Sequence, residues 1–271
     1  MRLALAAMNI GKLLSKSART FPGNLAIAQG SSRLTYAQFN ARANRLSNAL
    51  QKLGVVHRDN LAILMHNRPE MLESMFACFK IACGAVPINF RLHPKEIAFI
   101  IDHSEAKTVL VSPEFAESIV AIKDQIPKVR HVISVSDATD TFSDYETVLS
   151  AESEHFEDIE VDCDDVAWIF YTSGTTGQPK GAMLTHRNLL AMTMNFYADM
   201  CPGFGPADVV LHAAPLSHGS GLYALPNIGK AAANIIPEST SFDPEQVFRS
   251  IEEHRVTNLF AAPTHDKAAV G

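Results

Sequence analysis

Apolar residues along this chain alternate between two patterns: short unbroken runs, and longer stretches in which they return about every 3.6 residues. Residues 35–53 carry the clearest of the second kind. Phe39, Ala43, Leu46 and Leu50 recur on one helical face, Thr35 and Gln38 are spaced as a capping box, and Gly54 stands where a left-handed terminator is wanted. Leu61–Met65 then runs without alternation, as a strand covered on both faces requires. Pro69 opens a helix through about Cys83, apolar on most sides and therefore expected to lie deep. Strand 85–89 follows, and helix and strand alternate at 94–103, 107–112, 113–125 and 130–135. The rhythm resumes with strand 166–171, helix 185–200, strand 209–213, helix 219–230, strand 234–236, helix 243–254 and strand 257–260. It predicts an α/β fold of doubly wound, mostly parallel sheets flanked by helices. Met71, Met75, Met192 and Met194 read as core residues rather than a substrate box.

The break in the rhythm lies at 151–165, where eight residues are acidic and none is Lys or Arg. Like charges in a run repel and stay wet, so this stretch reads as a solvated acidic connector. It divides the chain into a first α/β subdomain, 1–150, and a second, 166–271. With 271 residues, 47% of them hydrophobic and 19% charged, the chain has the material for a sizeable core. A net charge of -6 gives no electrostatic reason to expect nucleic acid as a partner. Charge or proline interrupts each apolar stretch before the roughly 18 residues of a membrane span. Met1–Ala7 is too short for a secretory apolar region, and Met8 is an alternative start. Cys78, Cys83, Cys163 and Cys201 show no CxxC or zinc spacing, which fits free thiols and a cytoplasmic protein.

The strand at 166–171 feeds a segment dense in chemistry. Residues 172–181 hold four hydroxyls, three glycines and a lysine: Thr172, Ser173, Gly174, Thr175, Thr176, Gly177, Gln178, Pro179, Lys180 and Gly181. Glycines let backbone N–H groups approach a polyanion, hydroxyls add hydrogen bonds, and a lysine adds a point charge. Together they suit a triphosphate. A plain flexible turn needs neither so many hydroxyls nor a buried strand before it. A P-loop needs a hydroxyl after its lysine, and here Gly181 follows Lys180.

The segment Tyr171–Gly181 resembles the signature loop of the adenylate-forming superfamily of acyl-CoA synthetases, peptide-synthetase adenylation domains and luciferases. The resemblance extends to Thr35–Phe39 with Ala43–Leu46, to Gly84–Asn89, to Leu184–Leu189 and to Ala214–Gly221. In the last of these Ser217 stands where the family often has an aromatic residue. The resemblance implies the large N-terminal domain of such an enzyme, incomplete here, and an acyl-CoA synthetase as the first reading. It implies attack of a carboxylate on the α-phosphorus of ATP, then displacement of AMP by the thiol of CoA, with Mg2+ required. Thr172, Ser173, Gly174, Thr175, Thr176 and Gly177 would hold phosphates, Thr175 would bind Mg2+, and Lys180 would brace the loop or pyrophosphate. His218, Gly219 and Gly221 would line the acid's pocket, with His218 near the α-phosphate; Thr175, Lys180 and His218 are thus the candidate catalytic residues. On its own, His218 reads first as a structural histidine, and its place in Pro-Leu-Ser-His-Gly is what raises the site reading to at least equal standing. His186 reads as part of a helix start and His212 as a strand residue, while the other histidines read as surface or packing residues.

The resemblance also implies parts that this sequence does not contain: a Tyr-Gly-x-Thr-Glu segment, an adenine-binding strand, a ribose-binding Asp and a C-terminal domain with a catalytic Lys. Residues 265–271 depart from the family pattern, as a truncation or frameshift would make them, so weak nucleotide binding and negligible turnover are expected of these residues alone. A non-catalytic nucleotide-binding remnant and a peptide-synthetase-type domain remain the alternatives. A homodimer, as in related enzymes, is the expected assembly. The acid substrate is not legible.

Overall fold

The structure is a computed structural model that describes residues 9–135, 142–172 and 178–261. In chain order its helices are α1 Lys12–Thr20, α2 Tyr36–Lys52, α3 Pro69–Lys80, α4 Pro94–His103, α5 Ala116–Ala121, α6 Tyr145–Ser150, α7 His186–Asn195, α8 Gly219–Gly229 and α9 Pro244–His254. Its strands are β1 Leu25–Gln29, β2 Ser32–Thr35, β3 Asn60–Leu64, β4 Gly84–Pro87, β5 Ala106–Val111, β6 His131–Ser134, β7 Ser143–Asp144, β8 Val166–Thr172, β9 Lys180–Thr185, β10 Val209–Leu211, β11 Ala233–Ile235 and β12 Asn258–Leu259.

Local chemistry sets the helix ends much as the sequence indicates. At the start of α2 the Thr35 N–H donates to Gln38 Oε1 (2.8 Å) and the Gln38 N–H to Thr35 Oγ1 (3.3 Å). Gly54 adopts φ 84°, the left-handed turn that stops the helix. The 113–125 segment is less regular than expected, with α5 lying between two short 3-10 turns at 113–115 and 123–125. Residues 196–200 form a π turn that ends the helical run after α7.

The chain divides into two compact units, and each carries one sheet. The first takes in 9–12, 41–65 and 73–189 among the described residues. Its seven strands run in the order β7-β6-β5-β3-β4-β8-β9, parallel except for the β8–β9 pair. Leu61, Ala62, Ile63 and Leu64 are all inaccessible, the expected state of a central strand covered on both faces. On one side Ile97, Ala98, Ile100 and Ile101 of α4 pack with Ala62, Leu64, Val109 and Val111.

The second unit takes in 13–40, 66–72 and 190–261, with strand order β12-β10-β11-β1-β2. Successive residues of β10 face opposite ways: Leu211 packs with Ile235 and with Val247 of α9, and Val210 packs with Phe196, Phe204 and Ala232. Helices and aromatic side chains therefore cover both faces. The β1–β2 hairpin turns through Gly30 at φ 55°.

These units do not follow a cut at 151–165. The strand after the acidic stretch, β8, pairs with β4 through Ala85 and Trp168, so it completes the first sheet. Much of the stretch is exposed, as a solvated connector would be, but it is also pinned to α2 and α3. Lys80, with a side chain 0% exposed, meets Asp158 at 2.9 Å, while Lys52 meets Glu152 at 2.8 Å and Arg45 meets Glu154 at 2.7 Å. Asn44 and Asn48 donate side-chain amides to the backbone carbonyls of Glu154, Ser153 and His155. The cations that answer its charge come from α2 and α3, and a repulsion argument confined to the stretch cannot see them. Asp165 closes the strap between His57 (2.8 Å) and Arg58 (2.7 Å). Burial opposes its ionisation, but these hydrogen bonds outweigh that and hold its carboxyl below the ordinary carboxylate range.

Of the four methionines read as core, Met71 and Met75 are buried, whereas Met194 is exposed at 45%. Each α7 turn that faces the interior is supplied instead by residues such as Leu189 and Thr193. Among the described residues no helix is long and apolar enough to cross a membrane, and all four cysteines are free.

Candidate functional site

In the first unit, the antiparallel pair β8–β9 places Thr172 opposite Lys180 and Tyr171 opposite Gly181. The hydroxyl and the ammonium thus leave adjacent strand ends, both exposed. Ser173, Gly174, Thr175, Thr176 and Gly177 lie outside the described residues, so their proposed phosphate and Mg2+ contacts stay expectations.

The glycine that closes the motif has a definite task. A Cβ on Gly181 would stand 2.8 Å from Ile169 Cγ2 and 2.9 Å from Tyr171 Cζ, so its absence lets the Tyr171 ring lie across the neighbouring strand. The Tyr171 hydroxyl meets His103 Nδ1 at 2.7 Å, and the His103 ring stacks on Phe99 at 5.1 Å. Burial raises the Tyr171 pKa to about 12, so the hydroxyl stays protonated and available as a donor. The base of the loop is therefore fixed to α4 by a residue that the sequence reading treated as packing. We expect Gly181→Ala to displace this ring and lower the unfolding free energy by about 1–3 kcal/mol. Urea denaturation monitored by circular dichroism measures it, and an unchanged midpoint would refute the ring's role.

The motif after the loop is also a structural device. Thr185 and Asn188 cap α7 reciprocally, with the Thr185 N–H donating to Asn188 Oδ1 (3.0 Å) and the Asn188 N–H to Thr185 Oγ1 (3.2 Å). His186 is buried at the helix start, and its Nδ1 accepts the Ile10 N–H at 3.1 Å.

The second unit holds the other set. His218 stands at the N-cap of α8, half-buried, with Nδ1 2.9 Å from the hydroxyl of Ser217. Burial lowers its pKa, so it favours the neutral imidazole. Gly219 and Gly221 form the first turn, and a Cβ on Gly219 would stand 2.4 Å from the Phe260 ring. Ser217 itself is buried, so a small hydroxyl bonded to His218 occupies the place where an aromatic residue is common.

Asn67 holds this segment in place, a role that sequence reasoning missed. Its Nδ2 donates to the carbonyls of His212 (3.2 Å) and Ala214 (2.8 Å), and its Oδ1 accepts the Leu216 N–H (2.8 Å). One side chain thereby satisfies three backbone groups on the approach to His218. The separation of 145 to 149 residues leaves no local signal.

Comparison with known proteins adds the family. A family profile described as "AMP-binding enzyme" matches residues 14–268. Feruloyl-CoA synthase of Amycolatopsis sp is 34% identical over 257 residues, which make up 94% of this chain and 49% of that protein. The 4-hydroxybutyrate–CoA ligase 2 of Metallosphaera sedula is 30% identical, over 93% of this chain and 47% of its own length. The chain spans about half the length of the curated relatives it matches. Among solved structures, the inhibitor-bound N-terminal domain of FACL13 from Mycobacterium tuberculosis superposes with a TM-score of 0.86 at 30% identity, covering 96% of this chain and 64% of that one.

Proposed function

The chain belongs to the AMP-binding enzyme family, and from that premise we propose that it carries the phosphate-holding and acid-binding parts of an acyl-CoA synthetase. The observation that carries the reading is the β8–β9 pair, which sets Thr172 and Lys180 side by side at the two ends of a Ser/Gly/Thr segment. A hydroxyl donor and an ammonium fit the oxygens of a triphosphate, and neither offers a carboxylate to bind a metal alone. Mg2+ would therefore arrive with the nucleotide as MgATP, held by phosphate oxygens and by Thr175.

In this reading Thr172 to Gly177 donate to the β- and γ-phosphates, and Lys180 offsets charge on the departing pyrophosphate. His218, kept mostly neutral by burial, faces the carboxylate as a hydrogen-bonding group without adding a full charge. The carboxylate oxygen attacks the α-phosphorus, pyrophosphate leaves, and an acyl-adenylate forms. The CoA thiol then attacks the acyl carbon and releases AMP. The relatives' names, feruloyl-CoA synthase and 4-hydroxybutyrate–CoA ligase, support a carboxylic acid and CoA as the other substrates.

Carboxylate-dependent exchange of labelled pyrophosphate into ATP tests the proposal. In a protein that carries these residues at the full length of the relatives, we expect exchange to require an acid and to fall about a hundredfold in Lys180→Ala. Exchange that ignores the acid, or that survives this substitution intact, would overturn it.

A further inference from the structure

The helix turn that His218 opens has little local support. Residues 219–221 read Gly-Ser-Gly, and glycine loses more backbone freedom on folding than any other residue. The N-cap is His218 itself, whose side chain makes no capping hydrogen bond to α8 among the described residues. The first turn also holds no acidic residue to meet the helix dipole. Its backbone bonds run through His218: the Gly221 N–H donates to the His218 carbonyl at 3.0 Å, and the Leu222 N–H does so at 3.3 Å. A turn of this composition frays unless a residue from elsewhere in the fold holds it.

That residue is His212, one position past β10. It is buried and fixed to β11, with its N–H donating to the Ile235 carbonyl at 2.8 Å. Asn234 sets its tautomer. The Asn234 Nδ2 stands 3.0 Å from the Ala26 carbonyl and 3.1 Å from the Ala232 carbonyl, and only an amide nitrogen can donate to both. That turns Asn234 Oδ1 toward His212 Nε2, 3.0 Å away. An amide oxygen only accepts, so Nε2 carries the imidazole proton and Nδ1 is left as the acceptor. Ser220 Oγ, buried and 2.8 Å from Nδ1, therefore gives its single proton to His212. Burial keeps this histidine neutral, with a pKa lowered to about 4, so the direction holds near neutral pH. The bond joins residues eight positions apart and closes 212–220 into a ring that contains His218. Asn67 ties the backbone of the same ring at His212, Ala214 and Leu216.

We propose that His212 is a positioning residue for His218: by accepting the Ser220 hydroxyl it fixes the first turn of α8, and with that turn the place of the His218 imidazole. The inference rests on the acid-activating reading only for what His218 faces. His212 touches neither substrate nor reacting atoms in this role. It acts through one buried hydrogen bond, and a site held in place by such a bond loses its geometry when the bond is removed from either side.

Nitrogen-15 NMR of the labelled 271-residue chain tests this without ATP or acid. In the unaltered protein at pH 7, His212 should carry its proton on Nε2 and none on Nδ1. Two variants then break the bond from opposite sides: Ser220→Ala removes the donor, and His212→Gln removes the acceptor while keeping an N–H for Asn234. In each, the His218 titration should move up toward the ordinary 6.5 as its turn loosens. Amide exchange at Gly221 and Leu222 should quicken about tenfold, while exchange at Lys230, at the far end of α8, stays as it was. A proton on His212 Nδ1 in the unaltered protein would overturn the proposal. So would an unmoved His218 titration in both variants, or equal acceleration at both ends of α8, which marks general loosening. Failure of pyrophosphate exchange would remove the acid-activating reading and leave the positioning of His218 standing, while an unmoved His218 would do the reverse.

Discussion

Between pH 7 and pH 4 the protein is expected to lose about 3 kcal/mol of unfolding free energy for each of two buried histidines. His186 and His212 both have pKa values lowered by burial from the ordinary 6.5 to about 4. In that window the unfolded chain takes up protons that the native imidazoles refuse. The stability contribution is complete above pH 6.5 and is lost as the pH falls toward the native value. The geometry agrees with neutrality at both sites. His186 Nδ1 accepts the Ile10 N–H, and His212 Nδ1 accepts the Ser220 hydroxyl; neither atom can do so once protonated. His218, lowered in the same direction, adds to the slope. Asp165 acts elsewhere: its carboxyl is held below its ordinary 3.8, so its contribution disappears only below that pH. Urea unfolding at half-unit pH steps checks the account. His186→Gln should flatten part of the slope between pH 6.5 and 4, and a stability profile level down to pH 4 would contradict the burial of neutral imidazoles.

Asp158→Ala is expected to lower the unfolding free energy by about 3–5 kcal/mol. The Lys80 side chain is fully inaccessible and its ammonium lies 2.9 Å from Asp158, itself only 8% exposed. Burial pulls the Lys80 pKa down, and Asp158 opposes that pull without cancelling it. Removing the carboxylate removes the charge that makes a buried ammonium tolerable. It also loosens the strap at its midpoint, where the Ile159 N–H donates to the Lys80 carbonyl at 2.8 Å. The double replacement Lys80→Met with Asp158→Leu should be milder than Asp158→Ala alone, because it removes both charges and keeps apolar volume. A loss below about 1 kcal/mol for Asp158→Ala would show that the pair is wet and weak.

The same strap marks the limit of what the sequence discloses. Thr35 with Gln38, and Gly54 at the other end of α2, are local signals, so the local pattern states them and the structure contains them. The buried runs of β3 and β8 are legible for a similar reason, since residues covered on both faces leave an unbroken apolar record. The β9 strand leaves none: it is an edge strand, mostly exposed, and its residues Lys180–Thr185 have no apolar period. The β1–β2 hairpin is short and half-polar, and its turn signal at Gly30 is a single residue.

The candidate site divides along the same line. The phosphate-loop motif and the Pro-Leu-Ser-His-Gly segment are local and were found from their residues. What supports them is remote: His103 beneath Tyr171, and Asn67 across the approach to His218. So is the hydrogen-bonded chain from Asn234 through His212 to Ser220. Each depends on contacts between segments far apart in the chain, and no periodicity records them.

Calorimetric titration of the purified 271-residue chain with MgATP tests the central claim most directly, because it asks only whether the β8–β9 loop holds phosphates. We predict weak, saturable binding, reduced about tenfold or more in Lys180→Ala, with AMP bound more weakly than ATP. No saturable binding, or binding that ignores both Lys180 and the β- and γ-phosphates, would contradict the account.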